Sequence, residues 1–348
     1  MGAWDLTVDR SDLRNARVEE VPVPEPADGE AVLRVDRVGM TANNVTYALL
    51  GDVLGYWRFF PAPEGRGRVP LWGFAEVVAS RADGVAVGDR VYGYLPPSSH
   101  LVVQPAHVRD GGFRDAAPHR AELPAVYNAY AAADPELPDL QVLYRPLFMT
   151  SFVLADWLTD GGPPVEQVVL SSASSKTAYG TAWCLREAGV EVVGLTSPGN
   201  LAFTSGLGTY DRVLAYDDVP QLPAAPTAYV DVAGSVPLRQ ALHRHLGAQL
   251  VRDVVVGIAQ GQPGADAGPL EGARPTMFFA PDQIAKRAQD WGPGGVDARF
   301  AAAWAAFAPQ AAQWVDVVEG AGPEGLQHAW LAVHEGVGPR VGHVVVLS

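Results

Sequence analysis

The distribution of apolar and polar positions divides the chain into two patterns that meet near residue 146. Before this point, short apolar runs such as 30–36 and 74–79 lie between glycine, proline and aspartate residues. Residues 84–93 place a Gly-Asp turn between two strand-like pieces. Short strands bounded by turn residues in this way predict a small antiparallel barrel or a distorted sandwich.

Beyond residue 146, apolar runs alternate with amphipathic segments, which predicts a parallel sheet with crossover helices. Residues 168–170 are entirely apolar, as a strand that is covered on both faces requires. The helices are expected near 176–188, 199–207 and 236–246. The strands are expected at 167–172, 191–196, 212–216, 227–233, 250–258 and 276–279.

After about residue 280 the pattern becomes helical, at 282–290 and in the alanine-rich segment 296–315. The chain then closes with an apolar strand at 342–348, which we expect to return to the first domain. The sequence therefore predicts an α/β protein with a discontinuous β-rich domain and a doubly wound parallel sheet. The β-rich domain would comprise 1–145 and 280–348, and the doubly wound domain 146–279.

Composition and charge exclude several classes of partner. The formal net charge is −14, and lysine and arginine form no cluster, so nucleic acid and membrane partners are not expected. The single cysteine, Cys184, permits neither a disulfide within the chain nor a thiolate-rich metal site. The first residues lack the basic and apolar regions of a signal peptide, so we expect a cytoplasmic protein.

A run of small residues at 171–175 follows the first strand of the predicted parallel sheet, and a helix begins after it. Unpaired N–H groups and the helix dipole favour a pyrophosphate at such a point. Ser172, Ser175 and Ala178 occupy the places of the usual glycines, and Lys176 supplies a cation. Each added Cβ restricts the approach of the backbone. Two interpretations stay open: a dinucleotide-binding turn, or a domain of this shape that has lost its cofactor.

The end of the second strand bears on the choice between NAD and NADP. An NAD site usually has an acidic residue there to bind the ribose 2′-hydroxyl, and this chain has none. Thr196 and Ser197 offer hydroxyls that suit a 2′-phosphate, which favours NADP(H). The alternative is a loop whose serine and asparagine only cap the next helix.

Six segments follow one another in an order found in a known family, at 39–51, 88–91, 200–216, 227–234, 256–258 and 342–347. In this order the chain resembles the medium-chain dehydrogenase/reductase superfamily, and within it the zinc-free branch of quinone oxidoreductases and enoyl reductases. It also resembles a bacterial subfamily without assigned function. The resemblance covers most of the chain and implies a GroES-like catalytic domain joined to a Rossmann dinucleotide-binding domain.

The resemblance also implies an NADP(H) site in the Rossmann domain. Ser197 and Tyr216 would lie beside the adenosine 2′-phosphate, where Asn200 stands in place of the usual lysine. The full set of implied cofactor-binding residues is Ser172, Ser174, Ser175, Lys176, Thr177, Ala178, Thr196, Ser197, Asn200, Tyr216, Ala233 and Gly257.

Asn43, Thr46 and Tyr47 match the family segment that lines the nicotinamide and substrate pocket. The spacing from Asn43 to Gly51 is one residue short of the common pattern, so Thr46 and Tyr47 compete for one role. Tyr47 is the preferred proton donor. The usual Gly-His-Glu motif is replaced by the sequence at 73–76, which departs from the pattern.

The resemblance implies a reductase that moves hydride from NADPH to an activated C=C bond of an enone, enoyl or quinone substrate, or to a carbonyl. Zinc ligands of the alcohol-dehydrogenase type are missing from the sequence, so hydrogen-bond donors would stabilise the developing oxyanion. The alternatives are a lyase or isomerase on the same scaffold, or a non-catalytic nucleotide-binding protein. Aromatic residues at 56–60 and 127–130 either line a pocket for a flat or apolar substrate or pack as a loop. Many relatives of this shape pair as homodimers.

Overall fold

The computed structural model describes residues 2–256 and 270–348. Its strands are β1 (Ala3–Asp9), β2 (Ala16–Val21), β3 (Ala31–Met40), β4 (Arg66–Gly67), β5 (Leu71–Ser80), β6 (Arg90–Leu95), β7 (His100–Val103), β8 (Pro105–Arg109), β9 (Gly112–Asp115), β10 (Ala129–Ala132), β11 (Gln167–Leu170), β12 (Glu191–Thr196), β13 (Arg212–Ala215), β14 (Thr227–Asp231), β15 (Leu250–Val255), β16 (Pro275–Met277), β17 (Asp316–Ala321) and β18 (Val341–Val346). Its α-helices are α1 (Ala42–Leu49), α2 (Pro138–Thr159), α3 (Lys176–Glu187), α4 (Leu201–Gly206), α5 (Val236–Leu246), α6 (Ala280–Asp290), α7 (Gly295–Ala311) and α8 (Gly322–Glu335).

These elements form two units. The first unit comprises Met1–Pro146 and Val315–Ser348, and the second comprises Leu147–Trp314. The first unit holds a sheet in the order β2-β1-β4 and a larger one in the order β17-β18-β3-β5-β6-β10-β9-β8, with β7 also paired to β3. Its strand pairs are antiparallel except β17 with β18, as the turn-bounded pattern of the first 145 residues predicts. The closing strand β18 pairs with β3, so this unit is discontinuous in sequence.

The second unit holds a six-stranded parallel sheet in the order β13-β12-β11-β14-β15-β16. Counted within the sheet, this is the order 3-2-1-4-5-6 of the doubly wound Rossmann fold. The predicted α/β fold class is therefore confirmed. In this fold, ligands bind outside the carboxyl ends of the strands where the order reverses, which here is between β11 and β14. The predicted strand 250–258 ends at Val255 in the structure, and its last two residues lie outside the described range.

The helices α6 and α7 belong to the second unit, whereas the sequence-based division places 280–348 in the first domain. Arg287 on α6 forms an ion pair with Asp156 on α2, between Nε and Oδ2 at 2.6 Å. Phe307 on α7 stacks on Phe148, also on α2, with ring centroids 4.0 Å apart. These contacts are made between distant parts of the chain, so the pattern after the last strand of the sheet gave no sign of them.

Two long helices are absent from the sequence-based prediction. The helix α2 has 22 residues, is apolar on most of its faces and contains Pro146, so neither helical nor strand periodicity stands out in its sequence. The helix α8 packs against β1, β2 and β3 of the first unit. Its Trp330 is 1% exposed, and the indole N–H donates to the carbonyl oxygen of Leu13 at 2.8 Å. These contacts hold α8 in the first unit.

Candidate functional site

The turn after β11 contains the first of the predicted cofactor residues. Ser172 has a φ of +49°, which lies in the left-handed region. An L-residue pays about 1–2 kcal/mol for this conformation, whereas glycine adopts it readily. Ser172 therefore holds a conformation that favours glycine, just after the first strand of the doubly wound sheet.

The start of α3 carries a cation in its first turn. Ser175 is the N-cap, and its hydroxyl accepts the N–H of Ala178 at 3.4 Å. Lys176 and Thr177 begin the helix. Burial lowers the pKa of Lys176 to about 8, so the amine is mostly protonated at neutral pH. A helix N-terminus and a nearby ammonium group together favour an anion.

Contacts with the neighbouring strand hold this turn close to the sheet. The N–H of Ala173 donates to the carbonyl oxygen of Leu195 at 3.0 Å, and the hydroxyl of Tyr210 donates to the carbonyl oxygen of Ala173 at 2.8 Å. A Cβ at Gly194 would lie 2.9 Å from the Cβ of Ala173. The close approach therefore depends on a glycine in β12 rather than on one within the turn.

The end of β12 brings together four residues of the predicted site. Thr196 is 1% exposed, and its hydroxyl has no hydrogen-bond partner in the described part of the chain. Ser197 follows it and is partly buried. The side-chain amide of Asn200 donates to the hydroxyl of Ser174 at 3.2 Å, which joins this loop to the turn after β11.

Tyr216 completes this group. It follows β13, is partly buried, and lies near the backbone of Ser172. Burial raises the pKa of this phenol above its ordinary value, so it keeps its proton. The predicted residue Gly257 lies outside the described residues.

A buried serine that the sequence analysis missed ties β11 to β14. The hydroxyl of Ser171 accepts the N–H groups of Val232 and Ala233, each at 3.0 Å, and donates to Oδ1 of Asp231 at 3.0 Å. The same carboxylate oxygen accepts the hydroxyl of Tyr229 at 3.0 Å. These bonds place the predicted residue Ala233 beside the turn. An aspartate at the end of the apolar strand β14 is the signal that marks this contact in the sequence.

Asp231 also belongs to a buried ionic cluster, which we call the Arg239 cluster and which comprises Asp231, Arg239, His243 and Asp253. The guanidinium of Arg239 lies 2.6 Å from Oδ2 of Asp231 and 3.2 Å from Oδ2 of Asp253. Nε2 of His243 lies 2.9 Å from the same oxygen of Asp253, while Nδ1 donates to the carbonyl oxygen of Glu271. Burial raises the pKa of Asp253. The cluster supports the end of β14 behind the predicted site.

In the first unit, α1 presents the predicted catalytic residues. Asn43 and Tyr47 are four residues apart and share a face of the helix. The hydroxyl of Tyr47 accepts the indole N–H of Trp72 at 3.3 Å. Trp72 donates to the oxygen of Tyr47, so the phenol proton can be given to another acceptor. Thr46 is partly buried and contributes its backbone carbonyl to the N–H of Leu50.

Three further tyrosines surround Tyr47, and together they form what we call the tyrosine cluster, which comprises Tyr47, Tyr56, Tyr94 and Tyr127. The ring centroids of Tyr47 and Tyr56 are 4.6 Å apart, and those of Tyr94 and Tyr127 are 4.8 Å apart. The hydroxyls of Tyr56 and Tyr127 are 3.5 Å apart. Burial raises the pKa of all four phenols, so each remains protonated at physiological pH.

Tyr94 is the member of the cluster with an unsatisfied polar atom. It is fully buried, and its hydroxyl has no hydrogen-bond partner among the described residues. An unpaired buried hydroxyl costs about 1–3 kcal/mol. The sequence analysis named 56–60 and 127–130 as aromatic segments but missed Tyr94, although alternation along β6 turns it to the same face as Tyr92.

Two residues near the predicted catalytic residues stabilise the fold through hydrogen bonds or an ion pair. Asn44 is 4% exposed, its side-chain oxygen accepts the N–H of Thr41, and its amide donates to the carbonyl oxygen of Pro70. It therefore caps α1. Glu76, at the end of the motif that departs from the family pattern, forms a largely exposed ion pair with Arg34 at 2.8 Å.

Neither a metal cluster nor a membrane helix is found in the part of the chain that the structure describes. Histidine, cysteine and carboxylate side chains at 2–256 and 270–348 form no group of three that could hold a metal ion. The helices within these ranges are too short or too polar to cross a bilayer.

Several solved structures share this fold over the whole chain. CurA from Vibrio vulnificus has a TM-score of 0.68 at 14% identity, with 99% of both chains covered, and its complex with NADPH has a TM-score of 0.65. A putative NADPH:quinone reductase from Mesorhizobium loti has a TM-score of 0.67 at 12% identity, with 99% of both chains covered. The CurK enoyl reductase has a TM-score of 0.63 at 14% identity, with 100% of both chains covered. The fold is therefore the one that the medium-chain dehydrogenase/reductase resemblance implies.

Sequence comparison places the chain in a family. A search of curated proteins returned no significant match. The family model described as "Protein of unknown function (DUF2855)" matches residues 38–338, which is most of the chain. The chain therefore belongs to DUF2855, a family of unknown function.

Proposed function

We propose that this protein is a zinc-independent, NADPH-dependent reductase that acts on an activated C=C bond or on a carbonyl. The observation that carries the proposal is the turn at the carboxyl end of β11, where left-handed Ser172 leads into α3 and Lys176. This turn lies at the point of the sheet where doubly wound folds bind dinucleotides. The complex of CurA with NADPH, which shares the fold, supports the same assignment.

The residues present fit the phosphates of a dinucleotide. The backbone N–H groups at the start of α3 and the ammonium group of Lys176 would hold the pyrophosphate. Ser174, Ser175, Thr177 and Ala178 complete the turn and the first turn of the helix.

The end of β12 favours NADPH over NADH. The strand ends without a carboxylate, and the hydroxyl of Thr196 has no partner in the described ranges, so a ligand oxygen can accept its proton. Ser197, Asn200 and Tyr216 would surround a 2′-phosphate with hydroxyl and amide donors. We assign Ala233 and Gly257 to the cofactor site on the family resemblance.

The first unit supplies the proton donor. Bound NADPH would supply a hydride to the electrophilic carbon of the substrate. Tyr47 would donate a hydrogen bond to the substrate oxygen, and the indole N–H of Trp72, which donates to its own oxygen, would offset part of the cost that burial imposes on the phenolate. One hydride and one proton together reduce one C=C or C=O bond. Thr46 is the second hydroxyl on the same helix.

Titration of nucleotides into the parent protein and into variants of its two lysines tests the cofactor assignment. We expect NADPH to bind more tightly than NADH in calorimetry. Lys176→Met should weaken NADPH binding about 10-fold or more, because a charge-assisted hydrogen bond contributes about 1.5–3 kcal/mol. Lys286→Met is the matched control, because Lys286 lies on α6 and pairs with Asp160 and Asp290. If neither NADPH nor NADH binds, the proposal is contradicted.

Turnover tests the catalytic assignment separately. Oxidation of NADPH would be followed by absorbance with a panel of quinones and enones. Tyr47→Phe should lower kcat about 100-fold while the Kd for NADPH stays constant, as expected for loss of a general acid. Tyr92→Phe is the control, since its hydroxyl only donates to the carbonyl oxygen of Gln141. NADPH binding without turnover on the whole panel would favour a nucleotide-binding protein without redox activity.

A further inference from the structure

A cavity of about 260 Å³ lies in the first unit, apart from the predicted site residues. We call it the proline-rimmed cavity. Three aromatic and four proline side chains belong to its wall, namely Trp4, Phe59, Phe60, Pro22, Pro24, Pro61 and Pro96. A smaller engineered cavity of about 150 Å³ binds benzene. The proline-rimmed cavity therefore has room for a molecule with two fused rings.

The inner wall of the cavity is held in place from behind. Phe59 and Phe60 are 1% and 4% exposed. The guanidinium of Arg120 lies 4.6 Å from the ring of Phe60, and Nε2 of His119 bonds the carbonyl oxygen of Phe59 at 3.2 Å. Phe59 also packs on Tyr94, with centroids 5.2 Å apart. Collapse of the cavity would break these contacts, so the space is preformed.

One polar atom in the wall is unsatisfied. Ser98 is 1% exposed, lines the cavity, and its hydroxyl lacks a hydrogen-bond partner within 2–256 and 270–348. Its neighbour Ser99 is fully engaged, since its hydroxyl bonds the backbone of Trp4 and Nδ1 of His100 at 2.9 Å. Burial of an unpaired hydroxyl destabilises a fold, and a ligand oxygen would relieve this cost.

The wall carries no net charge to attract an ion. Arg68 forms an ion pair with Asp5, and its guanidinium also donates to the carbonyl oxygen of Pro61. Burial and the nearby Arg34 lower the pKa of His100, so its imidazole is neutral at pH 7. A charged ligand would lose its hydration there without a counterion.

We propose that the proline-rimmed cavity is a second small-molecule site, for a neutral planar aromatic compound with one hydroxyl or carbonyl group that pairs with Ser98. The proline and aromatic side chains of the wall supply apolar surface against which such a compound packs. The proposal is independent of the NADPH-dependent activity proposed above.

Calorimetry with 2-naphthol tests this proposal on the full chain. We expect saturable binding that weakens at least 10-fold in Val21→Trp, because Val21 lines the cavity and the larger ring fills it. Val23→Trp is the matched control, since this side chain is 59% exposed and lies outside the lining. Equal affinity in both variants would place the 2-naphthol elsewhere and overturn the proposal.

Ser98→Ala tests the polar contact without adding bulk. We expect this variant to bind 2-naphthol about fivefold more weakly, the effect of one neutral hydrogen bond. Naphthalene, which lacks the hydroxyl, should bind the variant and the parent protein equally. Binding of 2-naphthoate as tight as that of 2-naphthol would contradict the neutral character assigned to the cavity. Failure of 2-naphthol to saturate the parent protein would also overturn the proposal.

Discussion

Replacement of Arg239 by methionine measures how much the cation of the Arg239 cluster contributes to the stability of the fold. Arg239 is 5% exposed, and its guanidinium lies 2.6 Å and 3.2 Å from the carboxylates of Asp231 and Asp253, both with fully buried side chains. Methionine retains most of the side-chain volume and removes the charge. Asp231 would keep its bonds from Ser171 and Tyr229, so the change removes chiefly the cation.

The expected cost follows from the two unpaired carboxylates. Loss of one partner from a buried ion pair costs about 3–5 kcal/mol. With a urea m-value of about 2 kcal/mol/M, the unfolding midpoint should fall by about 1.5–2.5 M. Arg244→Met, an exposed arginine of the same helix, should change the free energy of unfolding by less than about 0.5 kcal/mol.

The effect of pH distinguishes an ionic cause from a packing defect. Without Arg239, the folded-state pKa of Asp253, which burial already raises, lies further above the unfolded value of about 3.9. The folded state then binds more protons than the unfolded state, so stability increases as the pH falls towards that pKa. We expect the deficit of Arg239→Met to be smaller at pH 5 than at pH 8.

Equilibrium unfolding in urea, followed by circular dichroism at both pH values, is the assay. The double variant Arg239→Met with Asp253→Asn should recover part of the loss, because it removes one of the unpaired charges. A loss below about 1 kcal/mol at pH 8, or an equal loss at both pH values, would refute the ionic reasoning.

Three other substitutions have defined outcomes. Ser172→Gly should raise the free energy of unfolding by up to about 1 kcal/mol, because the strain relieved at a left-handed φ exceeds the conformational entropy that glycine loses on folding. Ser197→Gly is the control and should lower the free energy of unfolding, since Ser197 has a φ of −71°. Equal effects of the two substitutions in urea unfolding would contradict this. Tyr94→Phe should stabilise the protein by about 1 kcal/mol in the same assay, since it removes an unpaired hydroxyl, and destabilisation would show that the hydroxyl is satisfied. The folded-state pKa of Lys176, about 8, lies below its unfolded value of about 10.4. The stability of the parent protein relative to Lys176→Met should therefore rise between about pH 8 and pH 10, and a flat difference would contradict the lowered pKa.

The sequence by itself determined the six strands of the second unit and their order along the chain. The predicted strand 191–196 and helix 236–246 match β12 and α5 residue for residue. Such elements are local, because apolar runs, caps and prolines act within a few residues of one another. The same local chemistry identified the turn after β11 and the absence of a carboxylate at the end of β12.

Only the tertiary structure decided which side chains meet. Ser171 reaches Asp231 across 60 residues of sequence, and Trp72 reaches Tyr47 across 25. The contacts of α6 and α7 that accompany the assignment of 280–314 to the second unit are more distant still, as Arg287 reaches Asp156 across 131 residues. Pairing between remote residues depends on how the sheets and helices pack, and the periodicity of the sequence does not predict this packing. For this reason the sequence named Tyr47 as a candidate donor, whereas only the folded chain showed that Trp72 and three other tyrosines lie around it.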